Sequence, residues 1–116
     1  MATITVRHGS IIDGIGGSGA YYGGPGGIAT GIYLAANEKV TSITYDDARE
    51  DRWGSPKVFC NLKIFTNMGT YGPYAENTDN CIIGAYPTYT RTIQTFYEFL
   101  QENARSNSNG YLYFLN

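Results

Sequence analysis

Glycine is concentrated in the first part of this chain, and this feature restricts the possible folds more than any other. Ten of the fifteen glycines in the 116-residue sequence fall within the first 31 residues. Because glycine is unfavourable inside helices and strands but suits tight turns, this distribution predicts short strands joined by turns. Hydrophobic residues make up 42 % of the chain, which excludes wholesale disorder, and the length predicts a single domain.

Short β-prone runs lie between the turn signals. Residues 3–7, 28–34 and 40–45 are predicted strands, and so are residues 80–85 and the apolar segment 111–115. Residues 57–65 alternate with a period of two, which predicts a strand with Val58, Cys60, Leu62 and Ile64 on one face and a mostly polar face opposite. Turn signals that recur about every 8 to 12 residues indicate an all-β sandwich, barrel or prism.

Two stretches are harder to assign. In residues 92–104 the apolar positions fit both a helix and a strand, and we predict a strand through about Leu100. Residues 46–54 are the most charged stretch, and we expect a solvated loop there. We expect Trp53, near its end, to cover the edge of a sheet rather than to contact a ligand.

Charge and cysteine usage exclude several classes of function. A net charge of −2 with a pI near 5.2 disfavours a general nucleic-acid binder. No run reaches the roughly 18 apolar residues of a membrane span. Residues 1–10 do not resemble a secretory signal, but a mature secreted form would lack one, so the cellular compartment of the protein stays open. One histidine and the lack of a CxxC motif predict no metal site, and Cys60 and Cys81 are interpreted as small buried hydrophobic residues.

A candidate ligand site comes from two short segments. Residues 9–13 offer the carboxylate of Asp13 and the backbone amides of Ser10, Ile11 and Ile12, and residues 23–27 form a Gly-Gly-Pro-Gly-Gly loop. A phosphate would be repelled by the carboxylate and would find no lysine, whereas sugar hydroxyls can donate to Asp13 and accept from bare amides. Such a site would bind a monosaccharide in roughly the millimolar range and would depend on avidity. The alternative is that both segments are merely turns, with Asp13 as a cap.

Three segments together resemble one protein family. Residues 6–15, 21–27 and 65–74 are similar in sequence and order to the jacalin-related lectins, in particular the griffithsin-like members. The resemblance covers roughly residues 3–85. It implies a β-prism of three Greek-key sheets with pseudo-threefold symmetry, and a lectin that recognises mannose or glucose without catalysis, metal or cofactor.

The resemblance also implies roles for single residues. Asp13 would bind the 4- and 6-hydroxyls of a hexose with help from the backbone of Ser10, Ile11 and Ile12. Gly27, with Gly26 beside it, would bind the neighbouring hydroxyl. Ile11 stands where many members have an aromatic residue, so Tyr22 or Tyr21 would have to supply ring stacking. The second and third Gly-x-x-x-Asp motifs of the family are absent, and we therefore expect at most one such site per chain.

Further expectations concern partners and alternatives. We expect binding to mannose-containing glycans or glycoproteins, no nucleic acid, no membrane insertion, and a homo-oligomer, with a dimer favoured. Residues 109–116 are expected to complete the first sheet, within the chain or exchanged with a neighbour. The main alternative is a jacalin-like structural or protein-interaction module whose sugar site is vestigial. The least favoured one is an enzyme in which His8 pairs with Cys60 or Cys81.

Overall fold

The computed structural model describes residues 3–17, 19–50, 55–76, 78, 81, 87–106 and 110–114. In these residues the strands are β1 (Thr3–His8), β2 (Ile12–Gly17), β3 (Ala20–Gly23), β4 (Ile28–Tyr33), β5 (Val40–Glu50), β6 (Ser55–Thr66), β7 (Thr70–Tyr74), β8 (Thr88–Arg91), β9 (Ala104–Ser106) and β10 (Leu112–Phe114), and the helix α1 spans Ile93–Asn103. Within the described ranges, no helix has the length and apolar character that crossing a membrane requires.

The first sheet is built from the glycine-rich part of the chain. Its antiparallel strands lie in the order β3-β2-β1-β4. Alternate residues of these strands face inward, so Ile4, Val6, Ile15 and Ile32 are all nearly fully buried in the main core. The predicted strands at 3–7 and 28–34 are therefore confirmed, with small differences at their ends.

The long β5–β6 hairpin forms the other two faces. Along one half, β5 pairs with β8 through residues 43–46, and β6 pairs with β7 through residues 62–65. Along the other half, β6 pairs with β10 at Lys57, and β10 pairs with β9. With the first sheet, these two groups of strands form the three faces of a β-prism, so the predicted fold class is confirmed.

A backbone irregularity at Asn61 changes which residues of β6 face the core. Asn61 has a φ of 49° in the left-handed region, and β5 opposite has a register shift between Thr44 and Asp46. Such irregularities bend a strand and reverse its alternation. Phe59 consequently shares the main core with Leu62, whereas Val58 and Cys60 belong to a second buried cluster. The predicted strand is confirmed, but the assignment of its faces was wrong before Asn61.

Residues 93–103 form a helix, so the predicted strand through Leu100 was wrong. The Thr92 side chain accepts a hydrogen bond from the backbone N–H of Thr95 and caps the helix N-terminus. Phe96 and Leu100, four residues apart on one helical face, are 0 % and 1 % exposed in the main core. Burial of this face against the prism decides between two periodicities that the sequence fits equally well.

The charged stretch is not a solvated loop in its first half. Residues 46–50 belong to β5, and Asp46 is only 5 % exposed. Its carboxylate accepts hydrogen bonds from Asn61 Nδ2 and Thr88 Oγ1, both at 2.6 Å, which offsets the burial of its charge. Residues 51–54, including Trp53, and the predicted strand at 80–85, apart from Cys81, lie outside the described residues.

The two cysteines are bonded to each other. Cys60 and Cys81 form a disulfide with their Cα atoms 5.5 Å apart, and both are fully buried. The interpretation of both cysteines as small buried residues is confirmed, and the sequence left open whether they bond to each other. An enzyme in which His8 activates a cysteine is contradicted, because neither sulfur is a thiol.

The end of the chain pairs in a place other than the expected one. Residues 109–116 were expected to complete the first sheet, but Leu112–Phe114 pairs with β6 and β9 of the same chain. The predicted terminal strand itself is confirmed for residues 112–114. Phe114 stacks on Phe59 with ring centroids 4.5 Å apart, so aromatic packing against β6 holds the strand there.

Candidate functional site

Two loops at one end of the first sheet form the candidate site. Residues 9–11 connect β1 to β2, and residues 24–27 connect β3 to β4. Because β1 lies between β2 and β4, His8 pairs with Ile12 on one side and with Ile28 on the other. This register places the Gly9–Asp13 segment beside the glycine loop.

The Asp13 carboxylate lies directly against the glycine loop. A Cβ atom added at Gly26 would lie 3.0 Å from Asp13 Oδ1, and one added at Gly27 would overlap Asp13 Oδ2. Gly27 also has a φ of 72°, which side-chain-bearing residues rarely adopt. The close contact with Asp13 and the positive φ together explain why glycine is needed at position 27.

Several backbone amides at the site are free to donate. Among the described residues, no acceptor binds the amides of Ser10, Ile11 or Gly27. The amides of Gly24 and Gly26 are occupied, since they donate to Asp13 O at 3.0 Å and to Gly110 O at 2.8 Å. Gly26 therefore shapes the loop and does not offer its amide, and Gly27 is the loop residue that can donate.

The side chains of the Gly9–Asp13 segment divide between the interior and the site. Ile11 and Ile12 are 2 % and 0 % exposed, so their side chains are unavailable to a ligand, and at Ile12 no backbone atom is exposed either. Asp13 is partly exposed, and within the described part of the chain no donor hydrogen-bonds to its carboxylate. Among the residues that the structure describes, the site thus combines a carboxylate acceptor without a partner and adjacent amide donors without one.

Burial and charge act in opposite directions on Asp13. Desolvation raises the pKa of its carboxyl to about 6, and the nearby Arg7 guanidinium lowers the pKa by a smaller amount. Arg7 itself donates from one terminal nitrogen to the carbonyls of Pro25 at 2.8 Å and Gly27 at 3.3 Å. Arg7 therefore holds the loop through two of its carbonyls, and among the described residues no ion pair forms between Arg7 and the Asp13 carboxylate.

The two tyrosines before the loop lie on opposite faces of β3. Tyr21 is 46 % exposed, and its hydroxyl donates to Gly24 O at 2.6 Å. Its ring lies over Gly14 and Gly16, where any Cβ would collide with it. Tyr22 instead packs against the main core, with its ring centroid 6.2 Å from that of Tyr97. Of the two candidates, Tyr21 is the one whose ring lies beside the site.

Sequence reasoning missed three residues that hold the site together. Arg7 and Gly110 bind carbonyl and amide groups of the glycine loop, and the Thr78 hydroxyl donates to Ser10 O at 2.7 Å. Gly110 and Thr78 are distant in sequence from the loops they contact, so no local pattern points to them. Only Arg7 carried a local signal, as a cation on the strand that leads into residues 9–13.

This geometry can bind a ligand that is donor and acceptor at once. An ionised Asp13 accepts two hydrogen bonds from two nearby hydroxyls of one sugar, and the adjacent amides donate to the same hydroxyl oxygens. The described residues provide no group of three or more histidine, cysteine or acidic side chains that could hold a metal. The arrangement can therefore bind a polyol in a partly open site.

Comparison with a family model and with solved structures finds similarity to jacalin-like lectins in both cases. The sequence model of the jacalin-like lectin domain matches residues 1–97, whereas no curated protein sequence matches significantly. A mannose-binding jacalin-related lectin from Ananas comosus is similar in structure, with a TM-score of 0.61 and 17 % identity over 97 % of this chain and 77 % of that lectin. Malaysian banana lectin and a single-residue variant of it each give a TM-score of 0.58 and 21 % identity over 98 % of this chain and 82 % of theirs.

Proposed function

The chain belongs to the jacalin-like lectin family, and from this premise we propose that it is a non-catalytic lectin that binds mannose-type or glucose-type glycans through Asp13 and Gly27. The observation that carries the proposal is the contact of an unpartnered carboxylate with a bare, positive-φ glycine. A jacalin-like domain with a vestigial site would not need to keep this carboxylate desolvated beside open amides.

Each group has a defined part in the proposal. The two Asp13 oxygens accept from the 4- and 6-hydroxyls of a hexose, and the amides of Ser10 and Ile11 donate to the same edge of the sugar. The Gly27 amide donates to the neighbouring hydroxyl. Tyr21 offers a partly exposed ring beside the loop, which replaces the aromatic residue that Ile11 does not supply.

The mannose preference rests on likeness to relatives. The lectin from Ananas comosus is described as mannose binding, and we infer the same sugar class for this chain. A single site of this kind binds a monosaccharide in roughly the millimolar range, so useful affinity for glycoproteins requires several sites in one assembly. We propose a homo-oligomer, with a dimer as the simplest form.

The test is calorimetry with methyl α-mannoside, with methyl β-galactoside as the contrasting sugar. Asp13→Ala removes hydrogen bonds to a charged acceptor, each worth about 1.5–3 kcal/mol, so we expect binding to weaken about tenfold to more than a hundredfold. The matched control Glu102→Gln removes one negative charge from the exposed face of α1 and should bind like the wild type.

Two results would contradict the proposal in different ways. If the wild-type protein binds neither sugar, nor any sugar on a glycan array, the site is vestigial and the domain serves another purpose. If Asp13→Ala lowers the melting temperature strongly, Asp13 is a structural cap, and the assignment of the site fails.

A further inference from the structure

A small buried cluster around the disulfide lies beneath both halves of the proposed sugar site. This disulfide cluster consists of Ile11, Ala48, Val58, Cys60, Cys81 and Tyr111, all of which are at most 2 % exposed. It is separate from the main core. Two of its members, Ile11 and Tyr111, belong to segments that reach the site directly.

The first connection runs to the Gly9–Asp13 segment. The Ile11 side chain is buried in the disulfide cluster, and the Ser10 carbonyl accepts a hydrogen bond from Thr78 Oγ1 at 2.7 Å. The Cys81 amide donates to Thr78 O at 3.1 Å, and Cys81 Sγ lies 3.0 Å from Ser10 O. The position of Cys81 therefore determines where Thr78 meets the site.

The second connection runs to the glycine loop. The Gly26 amide donates to Gly110 O at 2.8 Å, and a Cβ at Gly24 would overlap the Gly110 carbonyl. Gly110 precedes Tyr111, whose side chain is buried in the disulfide cluster. The glycine loop therefore rests on a segment that the same cluster anchors.

The disulfide connects both segments that contact the site to one strand. It links Cys81 to Cys60 on β6, the strand to which β10 also pairs. Asn61, the next residue of β6, donates to Cys81 O at 3.4 Å. One covalent bond thus fixes the distance between Cys81, which lies against Ser10, and β6, the strand that pairs with the segment following Gly110.

We propose that the Cys60–Cys81 disulfide positions the two halves of the glycan site, so that its reduction weakens glycan binding while the protein remains folded. This inference rests on the proposed function. Reduction by a dithiol breaks the sulfur–sulfur bond and gives two thiols, while the dithiol transfers two electrons and two protons and closes to its own cyclic disulfide. With that bond broken, Cys81 is no longer tied covalently to β6. Thr78 and, through its hydrogen bond, Ser10 then lose this fixed support, and the separation of Asp13 from Gly27 becomes variable.

The experiment compares three forms of the full chain by calorimetry with methyl α-mannoside. They are the oxidised wild type, the wild type reduced with excess dithiothreitol, and the variant Cys60→Ala/Cys81→Ala. Thiol titration verifies the redox state, and far-ultraviolet circular dichroism verifies that each form is folded at the temperature used. We expect the reduced protein and the double variant to bind about tenfold more weakly than the oxidised protein, as is typical for coupled sites.

A control separates positioning from general stability. Leu100→Ala makes a cavity in the main core, away from the disulfide cluster, and lowers the melting temperature without touching either loop. It should leave the mannoside affinity unchanged. If Leu100→Ala weakens binding as much as the double variant does, affinity follows stability, and the inference is overturned.

The remaining outcomes are also decisive. If the oxidised wild type does not bind the mannoside, the proposed function fails, and this inference falls with it. If the oxidised protein binds and the folded reduced protein binds equally well, the function stands and the positioning role is refuted. If both the reduced protein and the double variant unfold, the disulfide is a stability element, and the inference is likewise refuted.

Discussion

Replacing Gly27 with alanine tests the geometry of the site most directly. A Cβ at Gly27 would overlap Asp13 Oδ2 and would lie 2.7 Å from His8 O. Carbon and oxygen atoms that are not bonded are rarely closer than about 3.0 Å, so either the carboxylate or the loop must move. Either movement would disturb the alignment of the Asp13 carboxylate with the Gly27 amide, and by our proposal both groups contact hydroxyls of one sugar.

The effect on stability can be divided between two causes. A residue with a side chain in the left-handed region costs about 1–2 kcal/mol, and overpacking of a close contact adds about 1–3 kcal/mol. Gly19 has a φ of 80°, but a Cβ there would meet nothing within 4 Å. Gly19→Ala is therefore a matched control that carries the first cost without the second.

The effect on binding follows from the hydrogen bonds that are lost. Moving Asp13 away from Gly27 removes at least one charge-assisted hydrogen bond to the sugar, worth about 1.5–3 kcal/mol. We expect mannoside binding to weaken by a factor of ten to more than a hundred for Gly27→Ala, and to be unchanged for Gly19→Ala.

The assay is calorimetry with methyl α-mannoside beside urea unfolding of both variants. Wild-type affinity in Gly27→Ala would refute the reasoning, because a sugar that depends on the alignment of Asp13 with Gly27 could not then bind unchanged. Equal losses of unfolding free energy in the two variants would show that the close contact at Gly27 is absent in solution.

The other predictions concern pH and the helix. Because burial raises the pKa of Asp13 to about 6, mannoside affinity should rise as the pH rises through about 6 and the carboxyl ionises, and Asp13→Asn should lose this step. The pKa of Asp13 is higher in the folded than in the unfolded state, so its protonated carboxyl stabilises the fold, and this contribution is lost as the pH rises from about 4 to 6. Asp13→Asn has no carboxyl to ionise and should therefore be at least as stable as the wild type in urea unfolding at pH 7. A titration of binding against pH that is flat from 4.5 to 8 would contradict the first expectation. Thr92→Ala removes the cap of α1 and should lower the unfolding free energy by about 1 kcal/mol with binding intact; an unchanged melting temperature would show that the Thr92 hydroxyl does not support the helix.

The parts of the site that are local in sequence were predictable. Asp13 lies on β2, and Gly9 and Gly27 lie in the loops next to β1 and β4 of the same small sheet, whose glycine-rich turns leave few ways to pair the strands. The carboxylate and the bare loop therefore meet as the sequence pattern indicates. The sequence offered both Tyr21 and Tyr22 for ring stacking because it did not fix the alternation of β3: a shift of one residue exchanges the faces of the two tyrosines.

Other features depended on partners distant in the chain. Residues 93–103 suit a helix or a strand, and the helix forms because Phe96 and Leu100 find a place in a core made by strands from the rest of the chain. The face assignment in β6 failed at Asn61, because a single left-handed residue shifts the alternation and leaves no mark in a hydrophobicity pattern.

By itself, the sequence determined that the chain is all-β for most of its length, with one carboxylate facing one glycine loop, since period-two alternation and glycine turns act over a few residues. Tertiary structure alone decided that Cys60 bonds to Cys81, that Gly110 supports Gly26, and that Thr78 holds Ser10. These contacts join residues that are 21 to 84 positions apart. Chain segments so far apart meet only once the whole core has formed, because the burial that brings them together is a property of the assembled fold and not of any one segment.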